Sequence, residues 1–296
     1  MNQTRLVILL GTSTSAAYFA TSKFKAFTEE KPKAKEQERK VALSPNEFRA
    51  FKLLSTEQVS PNTTRHRFLL QSPEHETGLT VASCIVAKAD IEGKAVVRPY
   101  TPVSLNGQRG YVELLIKSYP KPGGVMSRHI QSLRPGVDSL EMKGPFKKIE
   151  YRSNMKKKIG MIAGGTGVTP MLQIIREVLS NPEDRTELSL IFANVSESDI
   201  LLRAELDALA YLYPNFRVYY TLDKPPSGWT GGVGFVSEEM IRKKMPPPSD
   251  DHLILVCGPK GLLEHVSGPK EQKDSQGPLL GLLRNLGYTE LQVYKF

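Results

Sequence analysis

Near residue 158 the hydrophobic rhythm of this chain changes, and that change limits the fold to two dissimilar domains. Upstream the period is that of a strand. Tyr111, Glu113, Leu115 and Lys117 alternate with Val112, Leu114 and Ile116, while Asn106-Gly107 and Pro122-Gly123-Gly124 supply turns. Short alternating runs with no long helical repeat predict an antiparallel barrel or sandwich. Downstream, apolar runs at 159–163, 188–194, 216–222 and 252–257 alternate with helical stretches. One helix, at 171–179, carries Met171, Ile175 and Val178 on a single face; another carries Leu202, Leu206 and Leu209; a third lies near 236–244. Strands that return through helices run parallel, so the second half is predicted to be an α/β domain of the nucleotide-binding type.

Two domains and a short extra segment also suit a length of 296 residues. The divisions predicted are 1–27, 28–43, 44–152 and 153–296, with the folded body starting near Ser44. Two cysteines, Cys84 and Cys257, are too few for a thiolate metal site and lie far apart in sequence, so neither a structural metal nor a disulfide is expected. The five histidines show no ligand spacing. The formal charge of +9 divides into +4 over residues 1–40 and +5 over the rest, with no basic run interleaved with aromatics, which excludes a nucleic-acid surface. A mild basic excess suits an acidic protein or an anionic cofactor, or simply a solvated surface.

The amino terminus has no acidic residue before Glu29, and residues 6–20 form an apolar, hydroxyl-dotted stretch bracketed by Arg5, Lys23 and Lys25. This block is shorter than the roughly 20 residues a spanning helix prefers. A short membrane anchor and a mitochondrial presequence both fit it, and disorder remains the alternative; a secretory signal lacks a clean cleavage site. Residues 28–40 are charged and apolar-poor, as in a linker.

Two motifs carry chemistry. GGTGVTP (164–170) follows a strand and opens a helix, so the N–H groups of Gly164, Gly165, Thr166 and Gly167 can face a pyrophosphate, with Thr169 as helix cap and Pro170 as first helical residue. It lacks GK[ST], which argues against a nucleoside-triphosphatase loop, and Pro170 stands where a third glycine would complete G-x-G-x-x-G. Alone it could be a tight turn. RPYTPVS (98–104) offers in Arg98 a fork for phosphate, in Tyr100 a flat ring and in Thr101 a hydroxyl beside it; alone it could be an edge strand ending in prolines. GGVMS (123–127), ahead of a helical Ser127-Arg128-His129-Ile130, adds a second anion site. Asp199 and Arg203 read as a structural helical ion pair, and Cys257 as either a small buried hydrophobe or a functional group.

RPYTPVS, IKSYP (116–120), GGVMS, GGTGVTPM, DILLR (199–203), YTLD (220–223) and CGP (257–259) occur in the order and at the spacing of the NADH–cytochrome b5 reductases, within the ferredoxin reductase-like flavoenzymes, and residues 46–296 resemble that family. The carboxyl-terminal stretch is similar to its mitochondrial or plant-type branch. The resemblance implies an antiparallel FAD-binding β-barrel followed by a Rossmann-like NADH-binding domain. It implies that Arg98 and Pro99 bind FAD with Tyr100 against the flavin, that Thr101 is catalytic near the hydride-accepting nitrogen, and that Lys117 and Tyr119 line the site. Gly123, Gly124, Val125, Met126 and Ser127 would hold FAD phosphates. Gly164, Gly165, Thr166, Gly167, Thr169 and Pro170 would hold NADH and reach the ring. Asp223 would accept from ribose hydroxyls and disfavour a 2′-phosphate, with Lys224 beside it pulling the other way, and Cys257, Gly258 and Pro259 would shape the nicotinamide pocket, Cys257 as a second catalytic residue. The implied acceptor is cytochrome b5 or a similar acidic haem protein, met by a monomer tethered to a membrane. The implied location is mitochondrial, at the outer membrane or intermembrane space, or alternatively the endoplasmic reticulum membrane. A non-enzymatic tethered nucleotide-binding protein and a reductase of another one-electron acceptor are the alternatives. The sequence departs from the family in Ala82-Ser83-Cys84, where Gly-Gln-His is common, and in a shorter interdomain linker than the animal enzymes have.

Overall fold

The computed structural model describes residues 39–271 and 275–296, so the anchor or presequence and most of the charged linker lie outside the described residues. The first six strands are β1 (Arg49–Ser60), β2 (Thr63–Leu69), β3 (Ser83–Ile91), β4 (Lys94–Tyr100), β5 (Tyr111–Lys117) and β6 (Ser139–Lys147), with helix α1 (Val125–Ser132) before β6. They form an antiparallel sheet in the order β4-β3-β6-β1-β2-β5. Alternation does what it was expected to do: in β5 Val112, Leu114 and Ile116 are buried with Phe51, Leu53, Phe68, Ile85 and Met142 in one core, which Met126 and Ile130 of α1 close at one end. The chain joins this core earlier than its composition suggests. Ala42 and Leu43 are buried, and the Ala42 N–H donates to the Glu76 carbonyl at 2.8 Å, so three apolar residues after the charged run (41–43) belong to the barrel and not to the linker.

The second half holds β7 (Lys158–Gly164), α2 (Val168–Ser180), β8 (Glu187–Asn194), α3 (Arg203–Leu212), β9 (Phe216–Leu222), β10 (Gly232–Val233), α4 (Glu238–Lys244), β11 (His252–Cys257), α5 (Lys260–Val266), α6 (Gly281–Asn285) and β12 (Val293–Lys295). All six strands run parallel in the order β10-β9-β8-β7-β11-β12. Among the described residues no helix is long and apolar enough to cross a membrane.

The two halves share a core. Ala82, Val103 and Leu115 of the barrel pack into the cluster formed by Met161, Val168, Met171 and Ile175 under one face of the parallel sheet. Buried Gln173 on α2 accepts from the Ser83 N–H (3.2 Å) and donates to the Pro102 carbonyl (3.1 Å). On the same helix, Arg176 donates to the Val103 carbonyl.

The reading of Asp199 and Arg203 as a helical ion pair is corrected. Asp199 does not pair with Arg203: it closes a capping box with Ser196 and accepts from Asn62, while Arg203 pairs with Glu197 and Asp207. The helix begins at Arg203, after Leu202 turns into the left-handed region (φ 59°), so Asp199 precedes it and cannot lie one turn back on its face.

Candidate functional site

The parallel sheet changes winding direction between β7 and β11, since β8, β9 and β10 extend to one side and β12 to the other. A crevice at the carboxyl ends of the strands is the expected ligand site of such a sheet. Two turns meet there, 164–167 after β7 and 257–259 after β11. They touch because position 167 is glycine: a Cβ there would stand 2.2 Å from the Cys257 carbonyl oxygen. Gly167, three residues before Pro170, thus supplies the close approach between the two turns. Residues 165–167 form a short 3₁₀ turn and α2 starts at Val168 with Gly167 as cap, which corrects the assignment of Thr169 as cap and Pro170 as first residue. Thr169 instead donates its hydroxyl to the Thr166 carbonyl (3.0 Å). Pro170 is tolerated in the first turn because its missing N–H had no acceptor there.

The barrel supplies the facing wall. Pro99, Tyr100 and Thr101 at the end of β4, Lys117 at the end of β5, Tyr119 and Ser127 border one cavity of about 680 Å3 with Gly164, Gly165, Thr166, Gly167, Thr169, Pro170, Cys257, Gly258 and Pro259. Motifs from both halves therefore converge, although 98–104 and 257–259 are more than 150 residues apart in sequence. Burial pushes the Tyr100 phenol up to about 12, against the opposing charge of Arg98. Burial likewise pushes the Cys257 thiol up to about 12, with Lys270 pulling it down. Both side chains are neutral at physiological pH, and a neutral thiol is a poor nucleophile, so Cys257 can shape and exclude water but not attack.

Helix α1 presents its amino terminus on the barrel side. Its first helical hydrogen bond runs from the Arg128 N–H to the Gly124 carbonyl (2.9 Å), which leaves the N–H groups of Val125, Met126 and Ser127 without a helical acceptor. Gly124 turns the chain into the helix at φ 61°, and a Cβ there would lie 2.8 Å from Ser127 Oγ and from Tyr119 Cβ. The helix starts at Val125, two residues ahead of the predicted Ser127.

Some expected residues do not line this cavity. The Arg98 side chain is exposed and donates to the Val97 carbonyl (2.8 Å). Gly123 and Val125 sit at the exposed helix entrance, and the Met126 side chain is 2% exposed inside the barrel core, so only its backbone can meet a ligand. Conversely, Cys84, Leu115, Lys148, Lys270, Glu271 and Phe296 border the cavity unannounced. Phe296 is placed by sheet register, its N–H donating to the Val256 carbonyl (2.9 Å), and its ring meets Tyr294 edge-on at 5.1 Å.

A neighbouring cavity of about 420 Å3 continues from Gly164, Gly165 and Lys117 to Asp223, Phe235, Leu262 and His265. Asp223 follows β9, and partial burial raises its pKa while Lys224 lowers it. Asn194, which ends β8, is 8% exposed, and neither its amide nitrogen nor its oxygen has a hydrogen-bond partner. A buried primary amide without partners is costly, and Asn194 borders the cavity beside Asp223, a setting suited to a ribose or base. Phe235, 75% exposed on its rim, offers a face for a purine. A larger hollow of about 750 Å3 opens at the opposite ends of β8 and β9 and contains none of the motif residues.

Residues 50–151 match the oxidoreductase FAD-binding domain and residues 161–268 the oxidoreductase NAD-binding domain. An Arabidopsis thaliana NADH–cytochrome b5 reductase-like protein is 52% identical over 263 residues, covering 87% of this chain and 79% of the relative. The chain belongs to the NADH–cytochrome b5 reductase family. NADH–cytochrome b5 reductase 1 of Dictyostelium discoideum is 45% identical over 86% of this chain and 84% of its own. The solved cytochrome b5 reductase domain of Ulva prolifera nitrate reductase superposes with a TM-score of 0.76 at 32% identity, over 86% of this chain and all of that one. This family membership makes the cofactors FAD and NADH, and the residues present suit them: the α1 terminus and Gly124 for phosphate, the 680 Å3 cleft for a ring system, and the unpartnered Asn194 amide for a nucleoside. Bound there, FAD accepts two electrons from NADH and releases them singly, a conversion that side chains cannot perform.

Proposed function

We propose that this reductase takes hydride from NADH at the 680 Å3 cleft and passes single electrons to cytochrome b5 or a similar small haem protein. The observation that carries this reading is the convergence of Tyr100-Thr101 from one domain with Gly164–Gly167 and Cys257–Pro259 from the other on a single cavity. In this reading the backbone of 164–167 and the α2 terminus bind the NADH pyrophosphate, and Asp223 and Asn194 hold its adenosine half. Thr101 donates its hydroxyl at the hydride-accepting edge, Tyr100 lies along the flavin, and Cys257 fixes the nicotinamide at contact distance. Arg98 swings from the Val97 carbonyl onto the FAD pyrophosphate. Lys117, Lys148 and Lys270 at the cleft, with the net charge of +9, favour an acidic partner. The chain acts as a monomer, tethered through residues 1–27, with a mitochondrial address at the outer membrane or intermembrane space.

Purified full-length chain is expected to be yellow, to bleach anaerobically with NADH at far lower concentrations than with NADPH, and then to reduce oxidised cytochrome b5. A colourless protein supports a non-enzymatic tethered role instead, and a bleached enzyme that leaves cytochrome b5 oxidised points to another acceptor. Residues 1–30 fused to a fluorescent reporter are expected to mark mitochondria; a reticular pattern assigns the endoplasmic reticulum, and a diffuse one removes the anchor.

A further inference from the structure

Among the described residues, Lys295 is the most deeply buried Lys, Arg, Asp or Glu, at 2% exposed. Burying an ammonium costs several kcal/mol unless its protons find acceptors. All three are taken up by backbone carbonyls, those of Pro269 (2.9 Å), Pro278 (3.0 Å) and Gly277 (3.2 Å). The main chain of Lys295 is gripped by the same region: its N–H donates to Gln276 Oε1 (2.6 Å), and its carbonyl accepts from Gln276 Nε2 (3.1 Å) and Lys270 Nζ (2.9 Å). Residues well separated in sequence are therefore tied around one side chain of β12, the strand that pairs with β11 at Val256 and delivers Phe296 to the cleft.

What this cage positions is visible at the cleft. Lys270 and Glu271, immediately after Pro269, border the same cavity as Cys257, Phe296 and Gly164–Gly167. The charge of Lys270 acts on the Cys257 thiol, so its field reaches the place where the nicotinamide half of an anionic dinucleotide enters.

We propose that Lys295 is a positioning residue of the reductase, its ammonium serving as a built-in cation that fixes Pro269, Gly277 and Pro278 and thereby holds Lys270 at the cleft to attract NADH. Without the charge three carbonyls around the buried side chain lose their donor, the wall they belong to loosens, and Lys270 leaves the dinucleotide's path.

The proposal rests on the NADH-oxidising role of the family site and not on the identity of the haem partner, so ferricyanide serves as acceptor. A wild-type chain without NADH–ferricyanide activity counts against the family role itself and is thereby distinguished. The full-length holoenzyme is compared with Lys295→Met, which keeps length and removes charge, with Lys270→Met, and with both together. The KM for NADH is expected to rise roughly three- to tenfold in each single variant with kcat within about twofold, and no further in the double variant, because residues that act through one another combine non-additively. Trypsin cleavage after Lys270, followed by mass spectrometry, is expected to accelerate in Lys295→Met. In Lys295→Ala, n-propylammonium is expected to lower the raised KM, and tetramethylammonium, which has no N–H, is not. A wild-type KM in Lys270→Met, an additive double variant, or faster cleavage of Lys295→Met with an unchanged KM overturns the proposal. If Lys295→Met does not fold, Gln276→Ala loosens the same region while keeping the ammonium. It must raise the KM and the cleavage rate together, and an unchanged KM there is equally fatal.

Discussion

Gln173 is one of the side chains that tie the dinucleotide half of the molecule to the flavin half. It sits on α2, whose amino terminus faces the crevice, and it bonds to Ser83 and to Pro102, the residue after Thr101. Replacing it with Leu keeps the bulk but leaves the Ser83 N–H and the Pro102 carbonyl buried without partners. At about 1–3 kcal/mol for each stranded group, with some relief from local relaxation, the loss is roughly 2–4 kcal/mol. A kilocalorie moves the melting temperature of a unit this large by about 2–4 °C, so the apparent Tm of the FAD-loaded protein is expected to fall by roughly 5–12 °C. Differential scanning calorimetry measures this directly, and rapid mixing with NADH adds a second reading, since slack between α2 and Thr101 slows flavin reduction more than it weakens NADH binding. A Tm within about 2 °C of wild type, with unchanged flavin reduction, would refute the idea that these two bonds set the relation between the halves.

Three further outcomes follow from the site and core. Asp223→Ser removes the carboxylate from the 420 Å3 cavity, and the preference for NADH over NADPH, taken as a ratio of kcat/KM values, is expected to shrink by about tenfold or more, Lys224 then facing the 2′-phosphate; an unchanged ratio excludes Asp223 from cofactor choice. Gly124→Ala strains a left-handed position by about 1–2 kcal/mol and crowds Ser127 and Tyr119, so FAD is expected to wash out during gel filtration while the apoprotein keeps its circular dichroism. His66 is 1% exposed, and burial lowers its pKa below 6.5 in the fold. The unfolded chain therefore takes up the proton first, and this contribution to stability is present above the unfolded value and lost as pH falls below it. His66→Phe is expected to flatten the decline in urea midpoint between neutral pH and pH 5 to 6; a profile parallel to wild type disproves the assignment.

The sequence by itself determined the change from strand period to strand–helix alternation, because burial on one face of a sheet or helix writes its repeat directly into the residues: Val112, Leu114 and Ile116 in the barrel, Met171, Ile175 and Val178 on α2. The candidate anion sites were legible as well, since glycines before a helix act through their own backbone and need no distant neighbour. Tertiary structure decided where α2 begins, because the 3₁₀ turn at 165–167 is fixed by contact with Cys257, some 90 residues away. It decided as well that Asn194, Phe235, Lys270 and Phe296 line the two cavities of the candidate site. None of these carries a local signature: an asparagine ending a strand or a phenylalanine ending a chain is common, and each acquires meaning only from strand order and register. Arg98 shows the same limit from the other side, since a motif can name the residue while the position of its guanidinium is set by whatever partner lies within reach, here the Val97 carbonyl. Periodicity is a property of neighbours along the chain, whereas a cleft between domains is a property of neighbours in space, and only the packing of β7 against β11 and of the barrel against α2 brings those together.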